Sequence, residues 1–372
     1  MIENITVQGY KSIKNLDNFK LNNLNVLIGA NGSGKSNFLS VFKFLREIYY
    51  QNLEKYVAEG GFADNFLHFG KENTDNIFIK LNFEHRRDGQ NKYDILFTAN
   101  NENKLLIQSE NAYYKSPVGK ITRKLITSYA QESNINSYIN ARNAYSFQPT
   151  MSAYVSYRLK NLVLYHFHDT SKDSPIKKVT GIIDNKNLKH DAENIAAFLY
   201  RLKKDFSSNY IDIIDTIQLV APFFYDFVTD RNEDYVQLEW YHINQKDTPL
   251  KAHLLSDGTL RFICLTILLM QPKELLPDTI IIDEPELGLH PYAISVLVDM
   301  LKKVSSIKQV IVSTQSVELI NYLSPEDIIV VNQNTGISTF ERLEIEDLKE
   351  WLEIYNNKLG EIWKSNIIGG RP

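Results

Sequence analysis

Gly29-Ala30-Asn31-Gly32-Ser33-Gly34-Lys35-Ser36 carries two glycines, a lysine and a serine at the spacing GxxxxGK(S/T). Glycines at these positions let successive backbone N–H groups turn inward around phosphate oxygens. Lys35 is then expected to reach the β- and γ-phosphates of ATP, and the Ser36 hydroxyl to ligate Mg²⁺. A random chain of this length contains the pattern on the order of 1–2% of the time, so the match is informative. A second cluster is acidic: Ile280-Ile281-Ile282-Asp283-Glu284-Pro285-Glu286 reads as a buried strand ending in carboxylates. Asp283 would meet the Mg²⁺ held by Ser36, and Glu284 would polarise the attacking water as general base. Acids also end strands that simply emerge into solvent; the phosphate loop in the same chain favours the chemical reading. A third group, Leu255-Ser256-Asp257-Gly258-Thr259, opens an apolar helix. Ser256 is a natural N-cap there and the free amides form an anion site, although in isolation the segment is an ordinary capped helix start.

These residues need elements to hold them. Residues 24–28 form a short apolar run, the glycine loop follows, and Phe38, Val41, Phe42 and Leu45 repeat at helical spacing. The order is strand, loop, helix. After Leu254 the pattern alternates: TLRFICLTILLM and PYAISVLVDMLKKV as helices, TIIID, QVIVST and DIIVVN as strands. That alternation predicts a parallel sheet covered on both faces. Residues 2–9 alternate as a half-buried strand, and residues 77–107 read as an antiparallel β insertion. Residues 110–160 are polar and give no clear pattern. LVLYHFHD (162–169) reads as a strand, 188–225 as helical, and 237–243 as a strand. The tail predicts one helix with Leu348, Trp351, Leu352 and Tyr355 on one side.

GANGSGKS, LLSDGTLRF, IIIDEPELGLHP and IVSTQS follow one another in the motif order of the ABC-type ATPase heads shared by the RecF, SMC and OLD families. More closely, the chain resembles the stand-alone bacterial AAA-type ATPases of that group. YHFHDTS, NIAAFLYRLK, APFF and the ending GEIW…GGRP are also similar to segments of those proteins. The resemblance implies an α/β, RecF/SMC-like P-loop head with an antiparallel β insertion and a helical lobe. It implies an N-terminal ATPase lobe over 1–165, a helical and mixed insertion over 166–250, and a C-terminal lobe over 251–372. It also implies a head-to-tail homodimer, with Ser256 and Gly258 of one copy on the γ-phosphate held by the phosphate loop of the other. Such a two-fold contact makes two identical composite sites and turns hydrolysis into an open/closed switch. Residues 286–290 would take the D-loop position.

Two segments depart from the pattern of transporter-type heads, which carry His at the switch. Gln315 stands there; it can hydrogen-bond the γ-phosphate or the water but gains no charge near neutral pH, which suggests slow hydrolysis. His166 and His168 would share one face of a strand, with Asp169 next to them. They read as polar lining, as part of a metal site, or as a stand-in for the Gln loop. Residues 158–204 are locally basic, with Arg158, Lys160, Lys172, Lys177, Lys178, Lys186, Lys189, Arg201, Lys203 and Lys204. This is either a solvated face or a nucleic-acid contact.

Composition bounds the answer. The 372 residues carry 41 Lys+Arg and 45 Asp+Glu, net -4, which excludes a basic coat over the whole surface. Cys264 is the only cysteine, so an internal disulfide is excluded; a reducing cytoplasm and a core position for Cys264 are expected. No apolar run reaches the length of a membrane span, and residues 1–4 do not open a signal peptide. Two functional classes remain. One is an ATPase whose dimerisation drives a partner effector or a DNA transaction, as in anti-phage defence. The other is an ATP-gated scaffold or sensor that rarely turns its nucleotide over and holds a toxin or nuclease. OLD nucleases carry a C-terminal Toprim domain, and residues 317–372 are too few for one, so an effector would be a separate chain. A transporter head fits poorly with the long 50–160 insertion.

Overall fold

A computed structural model describes residues 1–85, 87–142, 150–229 and 234–370. The chain opens with β1 (Ile2–Tyr10), β2 (Ile13–Lys20), β3 (Leu24–Ile28), α1 (Lys35–Tyr49) and α2 (Leu53–Glu59). Then come β4 (Asn76–Phe83), β5 (Gln90–Ala99), β6 (Leu105–Lys115), β7 (Ile121–Ala130), α3 (Met151–Lys160) and β8 (Leu162–Tyr165). The middle holds β9 (Thr180–Gly181), α4 (Ile195–Asp205), α5 (Ser207–Val220), β10 (Phe224–Phe227), β11 (Tyr235–Val236), β12 (Glu239–His242) and β13 (Gln245–Lys251). The last third holds α6 (Asp257–Met270), β14 (Thr279–Asp283), α7 (Pro291–Ser305), β15 (Gln309–Thr314) and α8 (Val317–Ile320). It ends with β16 (Ile328–Asn334), β17 (Ile337–Arg342), α9 (Ile345–Ile354) and α10 (Leu359–Lys364).

Two compact units result. The first gathers 1–163, 325–347 and the described part of 365–372. Its larger sheet is antiparallel, ordered β2-β1-β4-β5-β6-β7. The β insertion expected over 77–107 is β4 to β6, and β7 extends it; β7 escapes the sequence reading because most of its residues are exposed and polar side chains interrupt its apolar ones. The second sheet contribution is β3, buried at all five positions because it is apolar on both faces, paired in parallel with β16, which is antiparallel to β17. The helix α1 buries Phe38, Val41, Phe42 and Leu45 as its spacing predicts. Phe44 joins them in an aromatic core with Tyr10, Phe66 and Phe97 at centroid separations of 5.6, 5.7 and 5.0 Å.

The second unit gathers 164–324 and 348–364. Here β14 and β15 run parallel, in register from Thr279–Gln309 to Asp283–Ser313. The helix α6 is apolar almost all round and buries Phe262 through Leu269 without a break, as a central helix does. Cys264 lies within it, fully buried, and burial pushes its thiol up. Around this core lie α4, α5, α7 and the small antiparallel sheet β10-β12-β13.

Two expectations change. The strand over 162–169 stops at Tyr165. The His166 N–H donates to the carbonyl of His190 at 2.9 Å, and Asp169 accepts from the Ser171 N–H at 3.0 Å, so local polar bonds replace the ladder. His166 and His168 therefore share no strand face. The tail helix is present as α9, ending one residue before Tyr355, and a second helix, α10, follows a break where Asn356 and Asn357 take positive φ of 50° and 61°. Leu348 is buried, while Trp351 is 39% exposed. Of the GGRP ending, Arg371 and Pro372 lie outside the described residues.

Candidate functional site

The phosphate loop belongs to the first unit. Buried β3 delivers the chain to Gly29, and α1 starts at Lys35 with Gly34 as its N-cap. Gly32 and Gly34 have positive φ of 79° and 111°, the backbone shape that turns consecutive N–H groups to one side. The Ser33 N–H closes a tight turn onto the carbonyl of Ala30 at 3.1 Å. Asn31, Gly32 and Ser36 are exposed, so the outer rim of the loop and the second residue of α1 face solvent. Lys35 is 5% exposed. Its Nζ donates to the carbonyls of Gly29 at 2.6 Å and Ala30 at 3.0 Å, which lays the ammonium across the mouth of its own loop.

The loop is braced by residues that the sequence reading passes over. Ser338 on β17 donates its hydroxyl to the carbonyl of Ser33 at 2.6 Å and lies 2.8 Å from the Ser12 Oγ. Asn37 donates to Ser12 at 2.8 Å. No local pattern announces this group, because Ser12 and Ser338 stand 326 positions apart.

The acids belong to the second unit. β14 stays buried through Ile282 and releases Asp283 at its carboxyl end, where the Ser313 hydroxyl of β15 donates to the carboxylate. Glu284 has φ 43°, and its N–H donates to the carbonyl of Ser313 at 2.9 Å. A left-handed non-glycine residue costs roughly 1–2 kcal/mol, so the surrounding structure holds Glu284 against its own preference. The Gln315 Nε2 donates to the Glu284 Oε1 at 2.6 Å. The expected base and switch residue are therefore in direct contact at the ends of neighbouring parallel strands.

Glu286 has a more specific place than its D-loop position suggests. It is 9% exposed. Its Oε1 accepts from the Thr314 hydroxyl at 2.6 Å and from the Gln315 N–H at 3.4 Å. Burial pushes its carboxyl above the ordinary range, against the opposing pull of those hydrogen bonds. Two acids two positions apart thus grip the same segment: Glu284 holds the side chain of Gln315, Glu286 its backbone.

The signature turn lies in the same unit. The Ser256 Oγ caps α6 by accepting from the Thr259 N–H at 3.2 Å. Ser256 is exposed. Gly258 meets the carbonyl of Gly288 so closely that a Cβ at 258 would run into it, which explains the glycine in the first turn of the helix. Arg261 ties the region together, donating to the carbonyl of Leu287 at 2.8 Å and to that of His168 at 2.8 Å. His168 consequently lines a small cavity with Arg261, Asp283 and Glu284. The carboxyl of Asp169 is instead turned onto Ser171, whose hydrogen bonds hold it below the usual range. Among the described residues no group of three His, Cys, Asp or Glu side chains could hold a metal ion.

Much of the basic stretch is committed to local structure. Lys177 donates to the carbonyl of Thr170 at 2.5 Å, and Lys189 pairs with Asp184 and Glu193 at 2.6 Å each. Arg201 donates to the carbonyl of Lys186 at 2.6 Å, and Lys203 pairs with Asp226 at 3.1 Å. No helix among the described residues is long and apolar enough to cross a membrane.

Comparison with known proteins agrees with this architecture. The family model described as "AAA domain, putative AbiEii toxin, Type IV TA system" matches residues 24–321, a stretch that contains every residue from Gly29 to Gln315 named above. A solved SmcHead bound to the C-winged helix domain of ScpA is similar over 94% of this chain and 99% of that one, at 15% identity and TM-score 0.57. An Smc head domain with an extended coiled coil, bound to the C-terminal domain of ScpA derived from Pyrococcus furiosus, is similar over 95% and 99%, at 15% identity and TM-score 0.52. Such identities show the fold: an α/β head of the SMC kind. Structural maintenance of chromosomes protein 3 of Saccharomyces cerevisiae is 39% identical over 62 residues, 16% of this chain and 5% of that much longer protein.

Proposed function

The chain belongs to this AAA-domain family, and we propose that within it the protein hydrolyses ATP as an ABC-type head, working as a nucleotide-joined pair of copies. The phosphate loop and the acids are taken to serve one nucleotide, because a single family match contains both. The groups suit the ligand. A glycine-bent loop leading into a helix N-terminus, with a buried lysine, matches a polyphosphate. The Ser36 hydroxyl and the Asp283 carboxylate are oxygen donors, the type that suits Mg²⁺. Bound Mg²⁺ would neutralise charge on the β- and γ-phosphates. Lys35 and the loop amides orient the triphosphate, Glu284 accepts the proton of the attacking water, and Gln315 orients that water or the γ-phosphate. Ser256 and Gly258 of the partner copy close the site.

The observation that carries this reading is the 2.6 Å bond between Gln315 and Glu284, which joins the two groups that hydrolysis requires. Gln315→Ala is expected to lower turnover about 10- to 100-fold by removing a preorganised donor. A steady-state phosphate-release assay that finds the wild-type rate removes Gln315 from the mechanism. Pairing is tested by light scattering on the Glu284→Gln protein. Mg·ATP should double the mass and Mg·ADP should not. Tight ATP binding by a protein that never self-associates would end the proposal.

The family description names a toxin and a Type IV TA system. That description is compatible with a defence role, in which the ATP cycle would govern a separately encoded effector in the cytoplasm, with DNA or RNA as a further partner. The second reading, a slow ATP-gated scaffold, is favoured by the switch residue itself, since Gln315 gains no charge near neutral pH.

A further inference from the structure

The phosphate loop opens onto a cavity of about 470 Å³, contained within the first unit. One wall is the loop itself, Ala30 to Ser33. The opposite wall is the end of β16, with Asn332 and Gln333, together with Asn366, Gly369 and Gly370. Nothing in the catalytic reading uses this last segment. Its path is deliberate in physical terms: Asn366, Gly369 and Gly370 all have positive φ, 59°, 74° and 60°, which folds the chain back on itself. Gly370 is buried, and its N–H donates to the Asn332 Oδ1 at 2.7 Å. It rests on the first glycine of the loop. A Cβ at 370 would lie 2.8 Å from the Val330 Cγ1 and 3.4 Å from the Gly29 Cα. Only a residue without a side chain fits between β16 and the loop.

We infer that residues 366–370 are part of the nucleotide site, a strap that braces Gly29 and closes one wall of the phosphate-loop cavity against the nucleoside triphosphate. The wall it makes with β16 presents three neutral carboxamides, Asn332, Gln333 and Asn366, beside a loop whose charge comes from Lys35. Carboxamides offer both donors and acceptors, so they can hydrogen-bond phosphate oxygens or hydroxyls. Ser338 braces the inner side of the loop at Ser33, and the strap braces its entry at Gly29. The inference rests on the proposed function only in that the triphosphate occupies this loop.

The test compares full-length wild type, Gly370→Val, Asn332→Ala and Lys35→Ala by titration with a fluorescent ATP analogue and by the melting temperature without nucleotide. Gly370→Val should weaken binding about tenfold or more, because the side chain combines a disfavoured φ with a clash. Asn332→Ala should weaken it about three- to tenfold by freeing the strap. Asn332→Ala should melt close to the wild type, and Gly370→Val somewhat below it, since its buried site has no room for the added side chain. Wild-type affinity in Asn332→Ala and in a folded Gly370→Val overturns the strap, and so does a fall in melting temperature with affinity kept, since that marks a structural role only. If Gly370→Val does not fold, Asn332→Ala decides alone. Absence of binding by wild type and Lys35→Ala alike would overturn the nucleotide reading itself, and the strap with it; tight wild-type binding lost in Lys35→Ala leaves that reading standing whatever the strap variants do.

Discussion

Lys35→Ala is expected to raise the dissociation constant for Mg·ATP more than about 100-fold, since charge-assisted hydrogen bonds contribute roughly 1.5–3 kcal/mol each and the ammonium serves two phosphates. At 5% exposure, Lys35 has already lost most of its rotamer freedom and part of its hydration in the free protein. Its Nζ holds two loop carbonyls, and a triphosphate replaces those weak acceptors with anionic oxygens. Little ordering cost is then left for binding. Lys35→Arg should not restore affinity, because a planar guanidinium is wider than the ammonium it replaces. Isothermal titration of each variant reads both effects. An alanine variant that binds ATP as the wild type does would remove the phosphate loop from the site.

Glu284→Gln is expected to cut turnover about 10²- to 10⁴-fold, the range that a positioned general base contributes. The amide has the same shape, and its oxygen still accepts from Gln315, so the left-handed turn at 284 and the grip on the switch survive. Affinity for ATP should therefore stay within about threefold, since no phosphate contact is removed. Single-turnover phosphate release, measured beside nucleotide binding, separates the two quantities. The comparison also decides between the functional readings. A large drop marks an enzyme. Equal, near-zero rates in wild type and variant mark a scaffold whose base is never used.

How much of this was legible in the sequence depends on how local each signal is. The order β3, glycine loop, α1 follows from a buried apolar run, a fixed glycine spacing and a helical repeat within one short stretch. β14, β15 and α6 are legible for the same reason, as is the cap at Ser256. The pairing of Glu284 with Gln315 is half legible: each lies at a strand end, and the parallel register of β14 on β15 brings the ends level. Elsewhere non-local forces decide. The strand through His166 and His168 fails because a carbonyl at residue 190 takes the N–H that a ladder would need. The tail breaks at two asparagines that tolerate the left-handed region. Ser12, Ser338 and Gly370 act on the phosphate loop from distant points of the chain, and no window of sequence contains both ends of such a contact.

The first unit is assembled from three separate stretches of chain, and this has a consequence for its birth on the ribosome. The loop sequence emerges early, yet the strand β16 that pairs with β3, the hydroxyl that holds Ser33 and the glycine that rests on Gly29 are all made after residue 324. At roughly 5–20 residues per second, several tenths of a minute separate the nascent loop from its last support. A prematurely terminated product would carry every acid and every loop residue and still lack a finished cradle. On the strap proposal, nucleotide capture would wait for translation to run through these late residues.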